Sequence, residues 1–189
     1  MTVSADERAP LDSLGGVRRV LLVGMAGAGK STVGRILAER LGWGYVDTDE
    51  SVVERTGQSI PALFRDEGEP VFRAHEHDAL RSVLARSAPV VVSLGGGAVL
   101  DPRNREMVRQ AGTVVWLRAE LPTLTERLGD AEDRPVVARE GRDPAGLGRL
   151  VAERRPHYAE VAKIVVDVDG MTPDEVAEAV LASLERCSR

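Results

Sequence analysis

Gly24–Met25–Ala26–Gly27–Ala28–Gly29–Lys30–Ser31 carries the spacing G-x-x-x-x-G-K-[ST] directly after the apolar run Val20–Leu21–Leu22–Val23. Residues of these types in this order hold polyphosphate. Glycines let the backbone wrap an anion, inward N–H groups and a helix N-terminus supply positive potential, and a lysine reaches the β/γ-phosphates. Lys30 is that lysine, and the Ser31 hydroxyl is the expected ligand of one Mg²⁺ ion. The competing reading is an ordinary Gly-rich turn into a helix. Lysine usage argues against it: of 25 basic residues, only Lys30 and Lys163 are lysines. The motif by itself does not separate a kinase from an ATPase or a GTPase.

Four further groups have types and spacings that could do chemistry. Asp47–Thr48–Asp49 falls where a second strand should end, and residues two apart on a strand point the same way. One carboxylate could then support Mg²⁺ while the other accepts a hydroxyl proton, although Asp49 could equally N-cap a helix starting at Glu50. Arg73 and Glu76 are i,i+3 neighbours on an expected helix. They form either a solvated ion pair or a unit in which Glu76 aims the Arg73 fork at a carboxylate ligand. Gly95–Gly96–Gly97 ends a third strand, either as a tight turn or as backbone that lets a ligand approach closely. Arg154 and Arg155 precede Pro156, where most arginines face solvent or helix-terminal carbonyls.

These residues need a scaffold, and apolar runs alternating with amphipathic stretches provide one. Strands are expected at Arg19–Val23, Gly44–Asp47, Val90–Leu94, Thr113–Leu117 and Ile164–Val168. Helices are expected near 31–41, 49–56, 60–66, 69–86, 102–111, 121–128, 143–155 and 173–186. The last opens with a capping box, Thr172 to Glu175, with Pro173 at its first position. Strands separated by helices imply parallel pairing through right-handed crossovers, hence an α/β fold. Residues 129–141 are polar and bounded by glycines, and are expected to form either a mobile lid over the site or a plain surface connection.

Composition removes several classes. At 189 residues, with 43% hydrophobic and 29% charged residues, the chain reads as one globular domain (18–189) behind a flexible tail (1–17). A net charge of −5 argues against nucleic acid or an acidic membrane as partner. The single Cys187 excludes an intramolecular disulfide, and His75, His77 and His157 have no persuasive metal spacing. With no signal-like or membrane-length apolar run, a cytoplasmic monomer is expected.

Together these pieces resemble shikimate kinase, from about Val20 to the last helix. The resemblance rests on the G-x-x-G-x-G-K-S-T-V-G-R form of the loop, on Asp47–Thr48–Asp49, and on Ile60 and Phe64 followed by G-E-x-x-F-R-x-x-E. It rests also on S-L-G-G-G-A, Arg134–Pro135, and Arg154 four residues before Tyr158. It implies a P-loop, nucleoside-monophosphate-kinase-like three-layer fold with a central five-stranded parallel sheet, a substrate-binding segment at about 48–80 and a lid at about 129–141. The implied reaction transfers the ATP γ-phosphoryl to the 3-hydroxyl of shikimate. Carried over by motif, Asp49, Lys30 and Arg134 are catalytic. Gly27, Ala28, Gly29, Lys30, Ser31, Thr32, Arg127 and Arg134 hold ATP. Asp49, Arg73, Gly95, Gly96, Gly97 and Arg154 hold shikimate, with the two arginines on its carboxylate, and Asp47 supports Mg²⁺ through water beside Ser31. The chain departs from the family pattern at Val136 and Val137, where two leucines usually follow the lid Arg–Pro.

Two rival functions make different demands. One rival is a kinase for another small acceptor, such as gluconate or a nucleoside monophosphate; a nucleoside monophosphate kinase would need base and phosphate contacts in place of a carboxylate clamp. A GTP-dependent switch would carry N-K-x-D, but the only asparagine is Asn104, followed by Arg105.

Overall fold

Three valine- and leucine-rich runs are buried over nearly their whole length: β1 (Arg19–Val23), β3 (Val90–Ser93) and β4 (Thr113–Arg118). A strand buried on both faces belongs in the middle of a sheet covered by helices on either side. β2 (Gly44–Asp47) is more open, and β5 (Ile164–Asp167) alternates buried and exposed residues, as edge strands do. The sheet is parallel throughout, in the order β2-β3-β1-β4-β5. The structure, a computed structural model, describes residues 16–87, 89–128 and 144–187. The expected lid, with Arg134 in it, and residues 1–15 of the expected tail lie outside the described residues.

The connection from β1 runs to β2 on one side of it, whereas that from β4 runs to β5 on the other, so the strand order reverses between β1 and β4. Such a switch point opens a crevice beyond the C-terminal ends of the strands. The register sets the ends of three strands level there, with Leu22 beside Ser93 and Asp47 beside Ser93 from the other side. The loops after β1, β2 and β3 therefore start from one rim.

Among the described residues there are eight α-helices: α1 (Lys30–Leu41), α2 (Thr48–Thr56), α3 (Ile60–Asp66), α4 (Glu69–Leu84), α5 (Pro102–Ala111), α6 (Leu121–Leu128), α7 (Pro144–Val161) and α8 (Pro173–Cys187). A 3₁₀ turn, Ala98–Leu100, precedes α5. α1 starts from Gly29, whose φ of 89° is left-handed. α8 has the expected capping box: Thr172 N–H donates to Glu175 Oε2 at 2.7 Å and Glu175 N–H to Thr172 Oγ1 at 3.3 Å. The main core wraps the sheet, while Val52, Leu63, Phe72 and Ala79 form a second, smaller cluster with Ile60 and Phe64. That cluster ties α2, α3 and α4 together beside the rim.

Two local expectations are corrected. The helix expected to end at 155 runs on to Val161 with Pro156 inside it. Proline there removes one backbone hydrogen bond and crowds the carbonyl four residues back. Both Ala152 and Pro156 are exposed, so water can serve that carbonyl, while Tyr158 and Val161 continue the buried stripe. Core burial of two large side chains, worth roughly 1.5–3 kcal/mol each, outweighs the lost bond. The second correction concerns Asp49. Asp47 is the cap of α2, its Oδ1 accepting the Asp49 N–H at 2.9 Å, and Asp49 sits in the first turn. Asp47 and Asp49 are thus not two residues of one strand, and the capping role considered for Asp49 falls to its neighbour.

Candidate active site

The loop after β1 closes on itself before α1 begins. Ala28 N–H donates to Met25 O at 3.2 Å, and Lys30 Nζ donates to Gly24 O and Met25 O at 2.9 Å each. Gly24 has a φ of 143°, and a methyl group on it would lie 2.5 Å from Leu117 O on β4. Only glycine lets the loop leave the sheet so close to its neighbour. Arg127, from α6, reaches the loop from outside. Its Nη1 lies 4.0 Å from where a Gly29 methyl would stand, and its Nη2 donates to Val168 O at 3.5 Å. Ser31 is half-buried and Thr32 exposed at the start of α1.

Ser31 Oγ donates to Asp47 Oδ2 at 2.8 Å, and Tyr45 OH donates to the same oxygen at 3.2 Å. Both oxygens of Asp47 are therefore held, and Asp47 is buried. A hydroxyl and a fixed carboxylate side by side, with no thiolate or imidazole, form a hard-oxygen set that suits Mg²⁺. Burial and the Asp47 charge push the Tyr45 phenol up to about 12, so it remains a donor at neutral pH.

The third loop draws the remaining candidates together. A methyl group on Gly95 would lie 2.5 Å from Asp49 Oδ1 and 2.5 Å from Glu76 Oε1. One on Gly96 would lie 3.2 Å from Ala26 N of the phosphate loop and 3.6 Å from Arg154 Nη1. One on Gly97 would lie 2.5 Å from Arg73 Nη2. Asp49, Glu76, Arg154 and Arg73 thus converge on three consecutive glycines, against the phosphate loop. Gly95 and Gly97 do more than turn the chain: side chains occupy the space that their own Cβ atoms would need, while at Gly96 the nearest atom is the backbone nitrogen of Ala26.

Arg73 donates to Glu76 Oε2 at 2.8 Å and to Glu69 Oε1 at 3.0 Å. Glu76 is 1% exposed, which rules out the solvated ion pair. Burial pushes its carboxyl up to about 7; Arg73 and Arg154 pull it down, while Asp49 pushes it further up. Arg154 is buried as well, against the expectation for most arginines in its setting.

Several residues at this site have no role assigned to them from the sequence. Thr48 Oγ1, fully buried, accepts the Gly95 N–H at 2.9 Å. Tyr158 OH donates to Gly96 O at 2.5 Å and touches Met25 Sδ at 3.6 Å, so one phenol spans both loops. Asn104 Nδ2 donates to Ala98 O at 2.9 Å, which turns its Oδ1 to His77 Nδ1 at 2.7 Å. His77 Nδ1 therefore carries the hydrogen, and α4 and α5 brace the glycine turn from behind. A sequence signal for the buried charges does exist. Leu147, Leu150, Arg154, Tyr158 and Val161 form one helical stripe, as do Phe72, Glu76, Ala79, Leu80 and Val83. A charge in the middle of an apolar stripe points inward.

The arrangement joins a phosphate loop, a metal-suited oxygen pair and a carboxylate facing two arginines. Comparison with known proteins gives the family. The family model for shikimate kinase matches residues 26–185. A shikimate kinase of Streptomyces avermitilis is 47% identical over 171 residues, covering 89% of this chain and 96% of its own length. One of Xanthomonas campestris pv. campestris is 42% identical over 165 residues, covering 87% and 91%. The solved shikimate kinase from Acinetobacter baumannii in complex with shikimate superposes with a TM-score of 0.89 at 33% identity, covering 94% of this chain and 98% of that one. A gluconokinase from Sinorhizobium meliloti 1021, 24% identical with a TM-score of 0.61, shares the fold. With the family model spanning most of its length, the chain belongs to the shikimate kinase family.

Proposed function

We propose that this protein transfers the γ-phosphoryl group of ATP to the 3-hydroxyl of shikimate, giving shikimate 3-phosphate and ADP for aromatic amino-acid biosynthesis. The observation that carries the reading is the convergence of Arg73, Arg154 and Asp49 on Gly95–Gly97 beside the phosphate loop. Two guanidinium groups in one recess suit a small carboxylate, and a neighbouring carboxylate suits a hydroxyl.

In this account Arg73 and Arg154 grip the acceptor's carboxylate, and the Gly95–Gly97 backbone lets the ring approach. Asp49 accepts the hydrogen bond of the 3-hydroxyl and takes its proton as the oxygen attacks phosphorus. The backbone of Gly27, Ala28 and Gly29 cradles the phosphates with Lys30, Ser31 and Thr32, and Arg127 flanks the nucleotide. Ser31 and, through water, Asp47 would hold Mg²⁺, which would supply neutralisation of phosphate charge. Arg134 is assigned to the phosphates by its sequence motif. Phosphoryl transfer asks the protein mainly for in-line positioning and charge neutralisation, and this set of residues supplies both. The reading includes a cytoplasmic monomer without nucleic-acid or membrane partners. The net charge supports it, as does the lack, among the described residues, of a helix long and apolar enough to cross a membrane.

The test is ADP release from ATP and Mg²⁺ with shikimate, gluconate or nucleoside monophosphates as acceptor. Turnover on shikimate alone is expected. Turnover on a rival acceptor but not on shikimate would overturn the assignment.

A further inference from the structure

Glu76 is a carboxylate in a place built for an apolar side chain. It lies on the buried stripe of α4 between Phe72 and Ala79, 1% exposed. Its Oε2 takes one hydrogen bond from Arg73, whereas its Oε1 has no hydrogen-bond partner among the described residues. That oxygen points to Gly95, where Asp49 Oδ1 approaches the same point from α2. Among the described residues, the charged and titratable groups around it are Arg73 and Glu69 on its own helix, Asp49 on α2, and Arg154 and Tyr158 on α7. The turn at Gly95–Gly97 contributes backbone alone.

Its ionised form thus depends on two cations, Arg73 and Arg154, working against burial and Asp49. Those are the cations assigned above to the acceptor's carboxylate, and the inference rests on that assignment. A bound carboxylate adds a negative charge beside both arginines and cancels part of their pull on Glu76. Proton affinity at Glu76 then rises, and by reciprocity a proton on Glu76 strengthens carboxylate binding. We propose that Glu76 takes up a proton from solvent as the acceptor's carboxylate seats on Arg73 and Arg154, so that the site binds the acid anion and a proton together. The proton adds to Oε1, Oε2 keeps its bond from Arg73, and the charge brought in is balanced. Glu76 thereby becomes a positioning residue: once protonated it still holds Arg73 through Oε2, but as a neutral acceptor that leaves more of the guanidinium charge to the ligand.

The sign follows from the free protein's proton affinity. Burial leaves free Glu76 half-protonated near pH 7. Well below that, the proton is already present and binding takes up none. Above it, each bound acceptor must recruit one, so affinity falls as pH rises, by at most about tenfold per unit.

The experiment is calorimetric titration of shikimate into the full chain at about pH 8, in phosphate, HEPES and Tris, whose ionisation enthalpies differ. The slope of apparent enthalpy against buffer enthalpy counts protons. Uptake of about half to one proton is expected near pH 8 and about none near pH 5.5. Glu76→Gln keeps an acceptor for Arg73 and mimics the protonated acid, so its uptake should vanish and its affinity become flat with pH. Wild-type binding with no proton uptake near pH 8 would overturn the inference while leaving the arginine clamp standing, even if the variant fails to fold. Undiminished uptake in Glu76→Gln would overturn it too, by assigning the proton elsewhere. The clamp is tested apart: shikimate binding unaffected by Arg73→Ala would remove it.

Discussion

Gly97→Ala separates the space around Arg73 from every other property of the site. Gly97 has φ −100° and ψ −3°, a conformation that alanine adopts without strain. The three atoms nearest to a new methyl group are all in the Arg73 guanidinium, at 2.5, 2.6 and 2.8 Å. The backbone can stay where it is, and the fork must move. The nitrogens struck are those that donate to Glu76 and Glu69, so the shift disturbs both bonds together with the face turned to the ligand. Charge-assisted hydrogen bonds are worth about 1.5–3 kcal/mol each. Losing one to two of them predicts a rise of about 10-fold to about 10⁴-fold in the Kd for shikimate. Calorimetry would measure it, with ATP affinity as a control expected to change little. In an Arg73→Ala background the same substitution should cost nothing further, because the two changes act on one interaction. A shikimate Kd within threefold of wild type, with the fold intact, would refute the assignment of Arg73 to the ligand.

Asp49→Asn should leave shikimate binding largely intact and lower kcat by roughly 10²–10⁴-fold, as expected on losing a general base; near-normal turnover would leave Asp49 without a part in proton transfer. Tyr158→Phe removes the bond to Gly96 O, which predicts a loss of about 1 kcal/mol and a Tm lower by roughly 2–4 °C. It should also raise the KM for shikimate severalfold, because the glycine turn loses its tether; thermal melts and steady-state kinetics unchanged from wild type would contradict both expectations.

The strands are legible in the sequence because buried parallel strands are continuous apolar runs, and Val20–Val23, Val90–Ser93 and Thr113–Leu117 are such runs. The phosphate loop is legible because its chemistry fixes residue types at fixed spacing. Strand periodicity misplaces Asp49, because it fails where the chain turns from β2 into α2 at Thr48. Pro156 reads as a stop because local sequence does not show that Tyr158 will find its place between Trp116 and Gly96. Thr48 and Asn104 each reach a segment distant in sequence through one hydrogen bond, to Gly95 and to His77, and such bonds leave no periodic trace. Arg154 and Glu76 are different: the spacing of the apolar residues around each of them is enough to mark the charge as buried.

The account stands on recognition of the acceptor's carboxylate by Arg73 and Arg154. Its most direct test compares kcat/KM for shikimate and for its methyl ester, in the wild-type protein and in Arg73→Ala. The account predicts that esterification lowers kcat/KM by at least about 10²-fold in wild type, as loss of a bidentate charged contact should. The penalty should shrink severalfold or more once Arg73 is gone. Equal use of acid and ester by the wild-type protein would contradict it.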